Sequence, residues 1–302
     1  MKYLVTGSSG FIGQNLVDYL LKENHQVIGY DITPAPKRFQ RNKNFISILD
    51  DINNINAYLT PELKSVDAVF HLCASADVRL GYEDTQTDMY NNILGTYQLL
   101  EFMRINKLKK LIFSSSSTVY GNANTVPTPE TEHSMKPLSL YASSKASNEA
   151  YIHGYSHLFG IEAHIFRFAN VVGRYQTRGV IYDFIQKIKK NPKKLHILGN
   201  GEQKKSFFHV DDCVKALTTI PFKTEPDIYN LGNTDRISIR KLGDIVCEEL
   251  NAKPTITTDS KPEGWPGDTK YCFLNIGKAL ETGWKPTLGC EEAIRKTVKE
   301  LR

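Results

Sequence analysis

The sequence of 302 residues predicts an α/β fold in which a parallel sheet is covered by helices on both faces. Three observations lead to this prediction. Short β-branched and apolar runs alternate with stretches of helical periodicity through the first 170 residues. These runs lack the apolar–polar alternation of a half-exposed strand, which is typical of parallel strands buried on both faces. A glycine-rich segment separates the first strand from the first helix.

The pattern places the elements of the first part in order along the chain. The predicted strands are 3–6, 26–30, 45–48, 68–72, 110–114 and 162–168, and the predicted helices are 11–22, 84–103 and 141–158. After residue 170 the elements are shorter, with helices near 181–190, 210–219, 239–250 and 291–301. We therefore expect a larger α/β part over 1–170 and a smaller α/β lobe over 171–302, without excluding that the chain crosses between them.

Composition excludes several classes of protein. The chain is 40% hydrophobic and 24% charged, which excludes intrinsic disorder, collagen and coiled coil. No apolar run reaches the ~18 residues that a membrane span needs, and the first ten residues lack the apolar core of a signal peptide. A net charge of +5, dispersed along the chain, does not indicate nucleic acid binding. Five cysteines without a CxxC motif indicate reduced thiols and no metal site. We expect a cytoplasmic protein.

The segment 7–13, GSSGFIG, predicts a Rossmann-like dinucleotide site. Gly7 permits the tight turn, Gly10 lets the backbone approach a pyrophosphate, and Gly13 allows close packing of helix on strand. The phosphate then rests on the first helical residues, Phe11 and Ile12, where amide donors and the helix dipole favour anions.

Asp31 indicates which dinucleotide binds. It lies at the end of the second predicted strand, 18 residues after Gly13. A carboxylate there suits the ribose diol and repels a 2′-phosphate, so we predict NAD rather than NADP. The alternative is that Asp31 only forms the turn before Pro34.

Two further segments carry candidate chemistry. Four serines, 114–117, follow the fifth predicted strand, at the sheet edge where ligands bind. Tyr141 and Lys145 are four residues apart on a helix and share one face. A nearby ammonium stabilises a tyrosine phenolate, so we expect Lys145 to lower the pKa of Tyr141. Alone, this spacing also fits an exposed aromatic–lysine pair; together with the glycine segment it indicates a proton-transfer site.

These segments resemble the extended short-chain dehydrogenase/reductase family, specifically nucleotide-sugar 4-epimerases of the UDP-glucose/UDP-galactose type. The resemblance spans nearly the whole chain and includes five motifs: GSSGFIG at 7–13, HLCAS at 71–75, SSSSTVYG at 114–121, YASSK at 141–145 and RFANVVG at 167–173. It implies that the part over 1–170 binds NAD and carries the catalytic residues, and that the lobe over 171–302 binds a UDP-sugar substrate.

The resemblance also implies residue roles. The catalytic group would be Ser116, Tyr141 and Lys145, with Lys145 also holding the nicotinamide ribose. The remaining cofactor contacts would come from Asp51 and Ile52 at the adenine and from Cys73, Ala74 and Asn92 along the NAD. The substrate contacts would come from Thr118 at the sugar, Asn170 at the diphosphate, and Val180, Leu195 and Leu198 around the uracil.

Two positions depart from the family pattern. Lys205 stands where many relatives carry a diphosphate-binding arginine, and Trp265 stands where a second arginine usually precedes Gly-Asp. Lysine neutralises a phosphate but lacks the bidentate fork of arginine. Arg174 or Arg178 would compensate, unless each is a surface ion-pair partner.

The residues after Ser116 discriminate among the family's reactions. Ser117 and Thr118 replace the Asp-Glu pair that relatives catalysing 4,6-dehydration carry, so no carboxylate is present for elimination. Simple 4-epimerisation remains. One alternative is a UDP-uronic acid 4-epimerase, which would need a cation that this neutral segment does not supply. A second is a non-catalytic NAD-binding module, against which the retained Ser116, Tyr141 and Lys145 argue.

Cys272 bears on the choice of sugar. In the family, the residue four past the Gly-Asp aspartate lines the pocket around the C2 substituent, and counting from Asp268 gives Cys272. A small residue there leaves room for an N-acetyl group. If the register slips by one residue, Tyr271 occupies the position and the prediction reverses.

The resemblance also implies a homodimer. In the family the helices corresponding to 84–103 and 141–158 pair with their copies. The sequence places four large side chains on faces that the sheet need not cover: Tyr97, Leu100, Tyr151 and Tyr155.

Overall fold

The computed structural model describes residues 1–57, 61–132, 135–223, 225–265, 267–269 and 271–302. The strands are β1 Lys2–Thr6, β2 Gln26–Asp31, β3 Phe45–Leu49, β4 Ala68–His71, β5 Lys110–Ser116, β6 Glu162–Phe168, β7 Asn170–Val172, β8 Lys194–Ile197, β9 Lys204–Lys205, β10 Phe207–His209, β11 Asp227–Leu231, β12 Ile237–Ser238, β13 Thr255–Thr258 and β14 Tyr271–Cys272. The helices are α1 Phe11–Lys22, α2 Lys37–Gln40, α3 Pro61–Lys64, α4 Leu80–Glu83, α5 Thr85–Thr87, α6 Gly95–Ile105, α7 Leu140–Phe159, α8 Val180–Lys190, α9 Val210–Thr219, α10 Ile239–Glu249, α11 Gly277–Glu281 and α12 Cys290–Leu301.

The principal sheet has seven strands in the order β11-β6-β5-β4-β1-β2-β3. β1 pairs in parallel with both β2 and β4, and the pairs β2–β3 and β4–β5 are also parallel. The strand order therefore reverses at β1, and ligands of such sheets bind outside the carboxyl ends of the strands at this point. The predicted Rossmann-like α/β class is confirmed.

The six predicted strands of this sheet are confirmed to within two residues at each end, whereas β11 was not predicted. β11 is only five residues long and lies far along the chain from its sheet neighbours. Local periodicity does not report which short run joins a distant sheet edge.

One compact unit comprises Met1–Val119, Ser139–Arg167 and Pro221–Tyr229. Its core is formed by apolar residues of the central strands and of α6. Examples are the fully buried side chains of Leu4, Val69, Leu111 and Phe102. Helix α7 begins at Ser139, whose side chain accepts a hydrogen bond from the amide of Ala142, as expected of an N-cap.

The second compact unit comprises Tyr120–Leu138, Phe168–Ile220 and Asn230–Arg302. Helices α8, α10 and α12 bury their apolar faces in its core, together with residues of β8 and β10. Both units are built from separate stretches of the chain. The assignment of cofactor and substrate binding to 1–170 and 171–302 stays a prediction.

The predicted helix 84–103 is divided in the structure. α5 is followed by a π-helical stretch, Asp88–Leu94, and then by α6. The π-helical stretch buries two polar side chains, Asp88 and Asn92, which hydrogen bond to each other at 2.8 Å. Such π-helical segments are frequent at functional sites. Among the described helices, none is long and apolar enough to cross a membrane.

Candidate active site

The glycine turn after β1 has the shape that a dinucleotide phosphate requires. Gly7 has a φ of 72°, and a Cβ there would lie 2.7 Å from the amide nitrogen of Cys73. A Cβ on Gly13 would lie 2.0 Å from the carbonyl oxygen of Gly7. Helix α1 begins at Phe11 with Gly10 as N-cap and no side-chain cap, so its first amides are available to an anion. These residues fit the predicted cofactor.

Asp31, at the end of β2, is held beside this turn. Its Oδ2 accepts a hydrogen bond from the amide of Ser9 at 2.8 Å, and its Oδ1 accepts one from the amide of Thr33 at 2.8 Å. Each carboxylate oxygen has a second lone pair, so Asp31 can still accept hydroxyl donors. The hydrogen bond from the Thr33 amide is also what is expected if Asp31 forms the turn before Pro34, so the turn-forming role is present as well.

Asp51 and Ile52 follow β3, the strand beyond β2. The Asp51 carbonyl accepts a hydrogen bond from the Tyr30 hydroxyl at 3.0 Å, and Asp51 Oδ1 accepts one from the amide of Asn53 at 2.9 Å. Ile52 is 3% exposed and belongs to the core. Asp51 therefore offers polar groups at the strand ends, whereas the Ile52 side chain packs inward.

The loop after β4 carries Cys73 and Ala74. Burial raises the pKa of the Cys73 thiol to about 12, so this thiol stays protonated. Asn92 is buried and accepts a hydrogen bond from the amide of Ser75 at 2.8 Å while donating one to Ser144 Oγ at 3.0 Å. Asn92 thus joins this loop to α7; the predicted cofactor contacts of these residues stay predictions.

The three predicted catalytic residues are brought together. Ser116 ends β5, and Tyr141 and Lys145 lie on α7. Ser116 Oγ accepts hydrogen bonds from the Thr118 amide at 3.2 Å and the Thr118 hydroxyl at 2.9 Å. Its own proton is then available for its hydrogen bond with Tyr141. Lys145 Nζ lies 5.9 Å from the centre of the Tyr141 ring.

The electrostatics of this group differ from the expectation for Tyr141. Burial and, to a smaller extent, the charge of Asp88 raise the pKa of Tyr141 to about 12, against the opposing effect of the hydrogen bond with Ser116. Desolvation of the phenolate thus outweighs the favourable field that we expected from Lys145. Burial also lowers the pKa of Lys145 to about 8, and its ammonium donates to the carbonyl of Ser114 at 2.8 Å.

Three residues at this site were missed. Asp88 is 3% exposed, and burial raises its pKa; its Oδ2 has no hydrogen-bond partner in the described part of the chain. Glu149 and Arg167 form a buried ion pair at 2.6 Å. The position of Glu149, four residues after Lys145 on one helix face, could have revealed this carboxylate but not its partner Arg167.

The second unit carries the predicted substrate contacts. Lys205, on β9, is 9% exposed and pairs with Asp268 at 2.5 Å, and its ammonium lies 5.2 Å from the Trp265 ring. Asn170, on β7, donates to the carbonyl of Ser206 at 2.9 Å. Cys272, on β14, stands opposite Lys205 in the strand register and is 8% exposed. Lys205 and Cys272 are therefore neighbours.

The residues predicted around the uracil lie in two environments. Val180 is the first residue of α8, and Leu198 follows β8 and is 39% exposed. Leu195 is fully buried in the core of this unit. Arg174, which we considered as a replacement for a missing arginine, forms an ion pair with Asp211 at 2.6 Å. Among the described residues, no group of His, Cys, Asp and Glu could hold a metal ion.

Comparison with known proteins places this geometry in a family. Residues 3–232 match the NAD dependent epimerase/dehydratase family. The UDP-glucuronate 4-epimerase of Thermodesulfobacterium geofontis is 33% identical over 98% of this chain and 94% of its own. A crystal structure of a UDP-galactose 4-epimerase is 34% identical, with a TM-score of 0.89 over 100% of this chain and 98% of that chain. The UDP-glucuronic acid 4-epimerase of Bacillus cereus, solved with UDP-glucuronic acid and NAD, is 30% identical, with a TM-score of 0.89 over 100% and 99%.

The fold and the site define an NAD-dependent short-chain dehydrogenase/reductase. The chain belongs to the NAD dependent epimerase/dehydratase family and is a nucleotide-sugar 4-epimerase that uses NAD. The predicted enzyme class and cofactor are confirmed, and a non-catalytic module is not supported.

Proposed function

We propose that this enzyme interconverts UDP-hexoses at C4 through a 4-keto intermediate and that Ser116, Tyr141 and Lys145 perform the proton transfer. The observation that carries the proposal is the arrangement of these residues, with Ser116 hydrogen-bonded to Tyr141 and Lys145 one helical turn further on. NAD, bound by the glycine turn and Asp31, would accept the hydride from C4 and return it.

Tyr141 would remove the proton from O4 and restore it in the second half of the reaction. With a pKa of about 12, its phenol needs nearby positive charge to ionise. The pKa of Lys145, about 8, keeps its ammonium charged at neutral pH. Ser116 would donate to the phenolate or to O4, because Thr118 satisfies the acceptor side of its hydroxyl.

The keto sugar would turn within the site while its UDP moiety stays bound, so that hydride returns to the opposite face. We assign the UDP moiety to Asn170, Val180, Leu195, Leu198 and Lys205, as the sequence predicts. Pairing with Asp268 orients the Lys205 ammonium but partly neutralises its charge. Trp265 brings an indole NH without a partner in the described part of the chain, which would supply a further donor.

For the sugar, we propose that N-acetylated UDP-hexoses are accepted as well as UDP-glucose and UDP-galactose. Cys272 is 8% exposed beside Lys205, whereas Tyr271 is 44% exposed and lies 5.9 Å from the Arg236 guanidinium. These environments support the register in which Cys272, not Tyr271, lines the pocket. A small side chain there leaves room for the N-acetyl group.

Replacing Cys272 by tyrosine tests this proposal. Overfilling a packed pocket costs ~1–3 kcal/mol, so Cys272→Tyr should lower kcat/KM for UDP-N-acetylglucosamine about ten- to a hundredfold and spare UDP-glucose. The matched control is Tyr271→Ser, which should leave the ratio of the two activities unchanged. Equal losses on both substrates in Cys272→Tyr, or a raised activity on UDP-N-acetylglucosamine in Tyr271→Ser, would show that Cys272 is not the residue that lines the pocket around C2.

A UDP-uronic acid substrate is the second candidate, because two of the relatives above are named for UDP-glucuronate. The segment that would face the sugar, Ser117 to Val119, is uncharged. A uronate carboxylate would therefore lack a cation there, and we place the uncharged hexoses first. Adding UDP-glucuronic acid to the same substrate panel decides between them: a kcat/KM for it above that for UDP-glucose would reverse the order.

A homodimer and a cytoplasmic location stay predictions. Tyr97 and Tyr151 are 39% and 49% exposed, which fits a contact between copies. Leu100 is fully buried and Tyr155 packs partly against the core, so these two residues serve the protomer itself.

A further inference from the structure

A buried ion pair lies beside the catalytic residues. Glu149 and Arg167 are each 3% exposed. Arg167 Nη2 donates to Glu149 Oε2 at 2.6 Å, and Arg167 Nε donates to the two carboxylate oxygens at 3.0 and 3.2 Å. Burying two ions gains little net stability, since desolvation offsets their attraction. A gain in stability therefore does not by itself explain this pair.

The same carboxylate contacts the strand that carries Ser116. The Ser115 hydroxyl donates to Glu149 Oε1, and the Lys145 ammonium donates to the carbonyl of Ser114 at 2.8 Å. Glu149 lies one turn after Lys145 on α7. Helix α7 is thus joined to the two residues of β5 that immediately precede Ser116.

We propose that Glu149 and Arg167 are a positioning pair for the epimerase reaction: Glu149, held by Arg167, sets α7 against the end of β5 and so positions Tyr141 and Lys145 relative to Ser116. The inference rests on the proposed function, because both residues act through Lys145 and Ser116.

The groups around Lys145 determine how a change at Glu149 shifts the pKa of Lys145. Besides Tyr141 on the same helix, the titratable groups that face Lys145 are His71, Cys73, Asp88 and Glu149. Burial keeps His71 neutral, with a pKa of about 3, and Cys73 protonated, with a pKa of about 12. The carboxylates of Asp88 and Glu149 therefore supply the negative charge that opposes desolvation of the Lys145 ammonium, and the carboxylate of Glu149 also offsets the positive charge of its partner Arg167.

Glu149→Gln tests the pair, since the amide keeps the size of the side chain and an acceptor for Ser115 but removes the negative charge that pairs with Arg167. We expect the pKa of Lys145 to fall further below its usual value. On the alkaline limb of the pH profile kcat should drop about tenfold relative to wild type, with KM for the UDP-sugar unchanged. The matched control is Asp18→Asn, in the exposed pair with Arg38, which should leave the profile unchanged.

The double variant Glu149→Gln/Arg167→Met removes both charges. The pKa of Lys145 should return close to its wild-type value, while kcat stays about tenfold low at every pH because the pair no longer sets α7. Should Glu149→Gln not fold, the double variant alone carries the test. A wild-type kcat in it, or the same displaced alkaline limb as in the single variant, would overturn the proposal.

The pKa of Lys145 is measured without activity, by NMR titration of lysine-labelled protein with Lys145→Met to assign the signal. An unchanged pKa in folded Glu149→Gln would refute the proposed pair. If the pKa falls while kcat on the alkaline limb does not, the pair acts on Lys145 as proposed, and the catalytic role given to Lys145 under the proposed function is wrong.

Discussion

Replacing Tyr141 by phenylalanine should lower kcat by roughly 10² or more, through loss of acid–base catalysis at O4. The substitution removes one hydroxyl from a fully buried ring whose hydroxyl bonds to Ser116. Because the ring remains, the fold and the binding of NAD should be unaffected. The measurement is kcat for UDP-galactose epimerisation, with KM and the NAD content of the purified protein determined in parallel.

Tyr151→Phe is the matched control for Tyr141→Phe. Tyr151 lies on the same helix but is 49% exposed, so loss of its hydroxyl should leave kcat unchanged. Turnover of Tyr141→Phe within a few-fold of wild type would exclude Tyr141 as the acid–base group.

Gly13→Ala should destabilise the protein and abolish its retention of NAD. A Cβ at this position would lie 2.0 Å from the carbonyl oxygen of Gly7 and 2.9 Å from Cα of Ser8, both backbone atoms of the turn that cradles the phosphate. The turn must open to admit the methyl group. Overpacking of this kind costs ~1–3 kcal/mol of unfolding free energy. Thermal or urea denaturation measures the loss, and absorbance measures the NAD retained through purification.

Gly154→Ala gives the opposite expectation at a comparable position. Gly154 is also a helical glycine, but a Cβ there would meet no atom within 4 Å. This variant should gain roughly 0.5–1 kcal/mol, since alanine is the better helix former. A Gly13→Ala protein as stable and as rich in NAD as Gly154→Ala would contradict the role given to the glycine turn.

Much of the fold could be predicted from the sequence because its signals are local. Most strands up to residue 168 are largely buried, as expected, whereas the edge strand β3 leaves Ile46 45% and Leu49 57% exposed. Helix α1, strand β6 and helix α9 have the predicted bounds. The glycine turn and the spacing of Tyr141 and Lys145 likewise depend on a few neighbouring residues.

The features that were missed depend on contacts between distant parts of the chain. β11 reaches the sheet edge from residue 227, and Arg167 pairs with a carboxylate 18 residues away. The pKa of Tyr141 followed burial, which the spacing of two residues on a helix does not report. The partner of Lys205, Asp268, lies 63 residues further on, so the sequence alone could not predict that this cation is paired.

The fate of the hydrogen at C4 shows whether epimerisation proceeds through hydride transfer to NAD and back. The enzyme would be incubated with UDP-galactose carrying deuterium at C4, and the UDP-glucose formed would be analysed by mass spectrometry and NMR. If a 4-keto intermediate is reduced by the hydride that left it, the deuterium is retained at C4 and none is exchanged with water. Loss of the deuterium to solvent during epimerisation would exclude the proposed return of the same hydride to C4.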